Sequence, residues 1–240
     1  IHCGHSCIYV GTTDGVFMTD KVHPGTWEHL LGGKDIYRLY ESTETGLWIA
    51  TRMEGLYRYV NSRLKRVPVT GNDKGTVDRQ IREFVEDDAG NMWFGTFSGL
   101  QKYNPHQDKY QVVNIPVYAG GLNHSSIYSL YKDRSGTIWV GSYYGGVNYF
   151  NPDRSTSFHY DYQTSGHKDL FYSYIGDMVQ DRDGRLWIST DGGGLSAVDR
   201  DWELVDYYTA DDRNTIPHNN IKSLCYDSGR NLLYIGTHLG

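Results

Sequence analysis

At 240 residues the chain is long enough for one large all-β domain with a substantial core, and 21 tyrosines within a 14% aromatic content supply strand-forming side chains. Its 28 glycines against 6 prolines suit many tight turns and exclude a collagen-like or disordered chain. A formal net charge of −6 excludes the basic footprint of a nucleic-acid or anionic-lipid binder, and three cysteines are too few for a disulfide scaffold.

The first feature in chain order is His2-Cys3-Gly4-His5-Ser6-Cys7. Thiolates and imidazoles suit zinc, but no second ligand pair follows at a metal-site spacing. The cluster therefore reads as a hairpin turn or a local Cys3–Cys7 pair, and no metal or cofactor is expected. Strands B, C and D of a first repeat follow, from Cys7 to about Leu30.

Five further segments share one pattern: residues 36–57, 81–100, 127–147, 175–195, and 221 onward. Each opens with Ile, runs through about five strand-like residues, and turns at a polar group such as Asp88-Ala89-Gly90, Asp133-Arg134-Ser135-Gly136 or Asp181-Arg182-Asp183-Gly184. Asp bonds the backbone of its own turn and Gly supplies positive φ. An aromatic anchor follows (Tyr9, Trp48, Trp93, Trp139, Trp187, Tyr234), then a small pair such as Gly11-Thr12 or Gly141-Ser142. The opening Ile residues recur at a spacing of about 45 to 48 residues, in the β-propeller range.

Each period reads as four antiparallel strands. In the fourth, A spans 127–132, B 137–142, C 147–151 and D about 157–162. The expected fold is an all-β propeller of four-stranded blades, five to six of them present out of about seven. Its pieces fall near 1–34, 35–79, 80–125, 126–173, 174–219 and 220–240. The unequal end pieces read as cut from a longer protein. Each Trp is expected between neighbouring blades, its N–H on a backbone carbonyl, with the small pair allowing close approach.

The stretch Asp133-Arg134-Ser135-Gly136-Thr137-Ile138-Trp139-Val140-Gly141-Ser142, followed by Gly145-Gly146-Val147-Asn148, resembles the two-component regulator propeller repeat. Residues 181–195 and 87–100 are similar, and Asn214-Thr215-Ile216-Pro217-His218-Asn219-Asn220-Ile221 resembles the segment leading into strand A. The resemblance implies a periplasmic sensor region of a hybrid histidine kinase/response regulator. It implies an oligosaccharide ligand, neighbouring propeller and β-sandwich domains, and transcriptional control through domains outside this chain. A homodimer is a further expected partner, and nucleic acid is not expected to bind this region.

A ligand site is expected on the B–C turns, where Arg52, Phe97, Tyr143, Tyr144, Asp191 and His238 replace plain turn residues. Aromatic faces suit sugar surfaces, and charged groups suit hydroxyls. The D–A connectors add His124, His167, Tyr172 and His218, while strand A sets Arg38, Glu83, Ser129, Asp177 and Ser223 at matching positions. Glu83 and Asp177 lie two repeats apart with no nucleophile–base set beside them, so the chain is expected not to be an enzyme. A propeller lyase or glycosidase and a protein-interaction scaffold are the alternatives.

Overall fold

The computed structural model describes residues 1–67, 80–107, 109–113, 122–152, 157–160, 174–199, 204–211 and 216–238. The chain divides into two compact units, Ile1–Asn114 and Ile115–Gly240.

The first unit holds three antiparallel sheets. The first joins β1 (His2–Cys3), β2 (Cys7–Thr12), β3 (Gly15–Asp20) and β4 (Glu28–Gly32). The second joins β5 (Ile36–Ser42), β6 (Gly46–Thr51), β7 (Leu56–Val60) and β8 (Arg63–Arg66). The third joins β9 (Ile81–Glu86), β10 (Met92–Thr96), β11 (Gly99–Asn104) and β12 (Lys109–Val113).

In the second unit, the fourth sheet joins β13 (Ile127–Lys132), β14 (Ile138–Ser142), β15 (Val147–Phe150) and β16 (Ser157–Tyr160). The fifth joins β17 (Ile175–Gln180), β18 (Leu186–Thr190), β19 (Leu195–Val198) and β20 (Leu204–Tyr208). The sixth pairs β21 (Ile221–Asp227) with β22 (Leu232–Thr237). Among the described residues there is no helix. The strand sites agree with the sequence reading, with one correction: the first sheet has four strands, because His2 and Cys3 pair with Tyr9 and Ile8. That register sets Cys3 opposite Ile8, so Cys3 and Cys7 point to opposite faces of the hairpin, and both are free thiols. A local Cys3–Cys7 pair is thereby ruled out in this fold.

Within each unit, successive sheets bury their faces against one another. Trp48, Ala50 and Leu56 of the second sheet share a core with Ile81, Phe84, Met92 and Phe94 of the third. Trp139 and Val147 of the fourth share one with Ile175, Met178 and Ile188 of the fifth. The small residue after each anchor makes this approach possible. A methyl group on Gly11 would lie 2.6 Å from Ile36 Cγ2, and one on Gly141 would lie 2.6 Å from Ile175 Cγ2. The opening Ile of one sheet thus occupies the place a Cβ would take in the sheet before it.

The anchors differ from expectation in their polar partners. Trp93, Trp139 and Trp187 donate their indole N–H to the carboxylates of Asp87, Asp133 and Asp181, at 2.8, 2.9 and 3.0 Å. Trp48 donates to Thr45 Oγ1 at 2.8 Å. The acceptor in each case is a side chain of the A–B turn, which faces back over its own hairpin. In the third sheet this role falls to Asp87 rather than to Asp88. Tyr234 is half-exposed, so the anchor of the last sheet is not packed like the others.

Polar stitches cross between sheets of the first unit. Arg38 meets Glu83 through Nε–Oε1 at 2.7 Å and Nη2–Oε2 at 2.6 Å, a two-point contact suited to a planar guanidinium. Tyr9 donates to Glu41 at 2.8 Å, and Ser42 donates to Glu86 at 2.8 Å. Burial, then the Glu86 carboxylate, holds the Tyr40 phenol above the ordinary tyrosine range. Burial, then the bond to Glu41, does the same for Tyr9. Both phenols keep their protons at a pH where the unfolded chain loses them, so their stabilisation is complete below about pH 10 and is lost as pH rises toward the folded values. Urea unfolding is therefore expected to show stability falling above about pH 10, with a shallower fall in a Tyr9→Phe/Tyr40→Phe double variant. An unchanged slope in that variant would remove these two groups as the cause.

Candidate functional site

The element that positions the site is a β-bulge repeated in strand A of each sheet from the second to the sixth. Register shifts just after the opening Ile in β5, β9, β13, β17 and β21, so the next residue has no partner across the ladder. A bulge re-aims the side chain it carries. Here the residues are Tyr37, Arg82, Tyr128, Gly176 and Lys222, and the four with side chains meet the first residue of a B–C turn. The Arg52 guanidinium lies over the Tyr37 ring at 5.2 Å, and the Arg82 guanidinium lies over the Phe97 ring at 3.2 Å. Tyr128 stacks on Tyr143 at 5.7 Å with an 18° interplanar angle. The backbone repeats the link: Arg52, Tyr143, Asp191 and His238 each donate an N–H to a carbonyl just before a strand A, that of Asp35, Ser126, Tyr174 and Asn220.

The fifth sheet breaks the series. Gly176 brings no side chain, and a Cβ there would lie 2.7 Å from the Ile221 carbonyl oxygen and 2.9 Å from Ser189 Oγ. The Asp191 side chain instead takes Lys222 Nζ from the sixth at 2.7 Å. A small pocket of about 50 Å³ opens there, lined by Tyr128, Tyr143, Tyr174, Gly176, Asp191 and Lys222 among others.

Around its rim the tyrosines form one cluster. Tyr143 meets Tyr144 edge-on at 4.5 Å and Tyr174 edge-on at 4.8 Å, while Tyr144 and Tyr174 lie 4.5 Å apart. His124 stands 5.8 Å from Tyr144, with its Nδ1 held by the Ser126 N–H at 3.0 Å. The neighbouring Tyr144 phenol, ahead of partial desolvation, raises the Tyr143 pKa. Asp191 Oδ1 is buried and accepts no hydrogen bond from the described residues.

Of the six turn residues expected to bind ligand, Tyr143, Tyr144 and Asp191 thus come together in the second unit. His238 belongs to the same unit but pairs with His218, ring centroids 6.2 Å apart, outside the pocket lining. Arg52 and Phe97 belong to the first unit. Arg52 is engaged by Asp35 at 2.8 Å as well as by Tyr37, and Phe97 is covered by Arg82. His167 and Tyr172 lie outside the described residues. The strand A carboxylates are structural: Glu83 holds Arg38, while Asp177 accepts from the Met178 N–H at 2.8 Å and the Leu224 N–H at 2.9 Å. Sequence reasoning missed Tyr128, Tyr174, Gly176 and Lys222. For all but Tyr174 the signal was the residue after each opening Ile, which runs Tyr, Arg, Tyr, Gly, Lys while its neighbours repeat.

Comparison with known proteins places this architecture. The two component regulator propeller family model matches residues 121–144 and 169–192, which include Tyr128, Tyr143, Tyr144, Tyr174 and Asp191. No curated protein sequence matches the chain. The extracellular domain assigned to a hybrid two component system of B. thetaiotaomicron aligns at 17% identity and TM-score 0.53, over 98% of this chain and 39% of that one. This chain therefore spans about two fifths of that domain. Virginiamycin B lyase from Staphylococcus aureus aligns at 10% identity and TM-score 0.68, over 95% of this chain and 78% of that one. Streptogramin B lyase aligns at 16% identity and TM-score 0.60, over 84% and 61%. The two lyases correct the expectation that the chain is not an enzyme, because the fold it shares with them carries catalysis there. No helix among the described residues is long and apolar enough to cross a membrane. The chain is a propeller-fold domain related at low identity to two-component sensor domains and to lyases.

Proposed function

We propose that the chain is an extracytoplasmic ligand-sensing module of a two-component signalling protein, and that the tyrosine-lined pocket of the second unit receives its stimulus, an oligosaccharide. The observation that carries this reading is the cluster of Tyr128, Tyr143, Tyr144 and Tyr174 around the pocket, in which Tyr144 is 54% exposed. Aromatic rings gathered at a surface beside an acceptor and a donor are the composition of a ligand site. A sugar ring would lie on Tyr143 and Tyr144, with one substituent entering the pocket toward Asp191 and Lys222. The pocket alone is too small to enclose a ring. In this reading the module is periplasmic, adjoins further propeller and β-sandwich domains, and reports to a kinase that controls glycan-utilisation genes. A ligand acts in such a protein by binding one arrangement of domains more tightly than another.

The second reading is a lyase, favoured by the fold shared with virginiamycin B lyase and streptogramin B lyase. One experiment separates the two. The chain is screened against glycan oligosaccharides by thermal shift, and each hit is recovered and analysed. Ligand at about 100 times its dissociation constant adds roughly 2.7 kcal/mol of stability. A sugar recovered unchanged supports the sensor, one recovered cleaved supports the enzyme, and silence across the panel overturns the oligosaccharide. For any hit, Tyr144→Ala is expected to weaken binding about tenfold, in line with loss of an aromatic anchor, with little change in melting temperature. Unchanged affinity in that variant would move the ligand elsewhere.

A further inference from the structure

Three properties of the pocket select the charge of what it holds. Its volume of about 50 Å³ takes a compact head group and not a ring. Its walls include Tyr128, Tyr143 and Tyr174, whose π faces attract cations. Its carboxylate is half satisfied: Asp191 Oδ2 takes Lys222 Nζ at 2.7 Å, while Oδ1 is buried and has no donor among the described residues.

We propose that this site takes an ammonium group, primary or quaternary, which replaces Lys222 Nζ beside Asp191 beneath the tyrosine rings. The inference rests on the same pocket being a ligand site, and it names the ligand class: an amine-bearing molecule, such as an amino sugar, in place of a neutral or acidic one. An anion would have to part Lys222 from Asp191 and then face the carboxylate. An incoming ammonium leaves that carboxylate paired, and a primary one can also bring an N–H donor to Oδ1. Displacing Lys222 is cheap, because both side chains are partly exposed, at 46% and 41%, and exposed pairs contribute little. The lysine stem is flexible, and its strongly hydrated ammonium returns readily to water. In the resting protein Lys222 is thus a tethered competitor for the site.

The test compares choline with 3,3-dimethylbutan-1-ol, which has the same shape without the charge, by NMR titration of the full chain at low salt. Choline is expected to bind about tenfold more tightly than the alcohol, the scale of a desolvated cation–π contact. Tyr143→Ala and Asp191→Asn should each weaken choline severalfold. Lys222→Gln should strengthen it severalfold, the opposite of what a site for anions would show. Equal binding of choline and the alcohol would overturn the assignment, as would a Lys222→Gln variant that binds choline no better than the parent. A neutral oligosaccharide that binds through Tyr143 while choline does not would sink the ammonium assignment and keep the pocket. No Tyr143-dependent binding of any probe would sink both.

Discussion

Replacing Trp48 by alanine is expected to remove about 4 kcal/mol of stability, the usual cost of emptying a buried tryptophan site. Trp48 is fully buried and joins the cores of the second and third sheets, with Phe94 at 6.1 Å and Tyr103 edge-on at 5.6 Å. The Arg58 guanidinium covers its ring at 5.5 Å, and Thr45 takes its N–H. Alanine leaves a cavity, and it strips contacts from both sheets at once. A loss of that size is a large share of the roughly 5–15 kcal/mol that holds a domain folded. Urea unfolding followed by far-UV circular dichroism should show the midpoint collapse. Trp48→Phe, which keeps much of the volume and loses the N–H, should cost less than half as much. A Trp48→Ala loss below about 1 kcal/mol would mean that the two sheets do not share this core.

Asp133→Ala is the second large effect, expected to cost about 3 kcal/mol. Its Oδ1 accepts from the Ser135 N–H at 2.8 Å, the Ser135 hydroxyl at 2.7 Å and the Thr137 N–H at 3.0 Å. Its Oδ2 accepts from Trp139 Nε1 at 2.9 Å. Bonds to a charged acceptor are the stronger kind, and the buried indole N–H would be left without an acceptor. Asp133→Asn keeps one oxygen for the turn but sets an amide donor or nothing against Trp139, so it should fall between parent and alanine. The same ranking is expected at Asp87 and Asp181, whose bonds repeat the arrangement. If Asp133→Asn were as stable as the parent, the indole bond would carry no weight, and the aspartate would matter for its turn alone.

The aspartate and the tryptophan also show how far the sequence could be read. Both were visible as a repeat, and the turn chemistry of aspartate followed from its own backbone neighbours. That the two side chains bond each other was not visible. The six-residue step between them spans a hairpin, and only the β13–β14 register sets one over the other. The turn residues Tyr143, Tyr144 and Asp191 were singled out as variable positions, and Arg52 and Phe97 carried the same signal. What separates them is the partner each meets. Arg82 closes over Phe97, and Asp35 and Tyr37 hold Arg52, whereas Gly176 leaves its place open.

The amino-acid sequence by itself determined the repeat, the strand sites and the turns, because alternation of side chains and turn chemistry act over a few neighbouring residues. It also carried the close approach of sheets, since Gly11, Gly141 and Gly236, each placed two residues after an anchor, leave no room for a Cβ. Only the tertiary structure decided which side chains meet across sheets. The Arg38–Glu83 contact, the opposite facing of Cys3 and Cys7, the bulge that turns Tyr128 onto Tyr143, and the Lys222–Asp191 pair all depend on strand register or on a neighbouring sheet. Register moves a side chain from one face to the other with a single-residue step, so no local pattern can fix such meetings in advance.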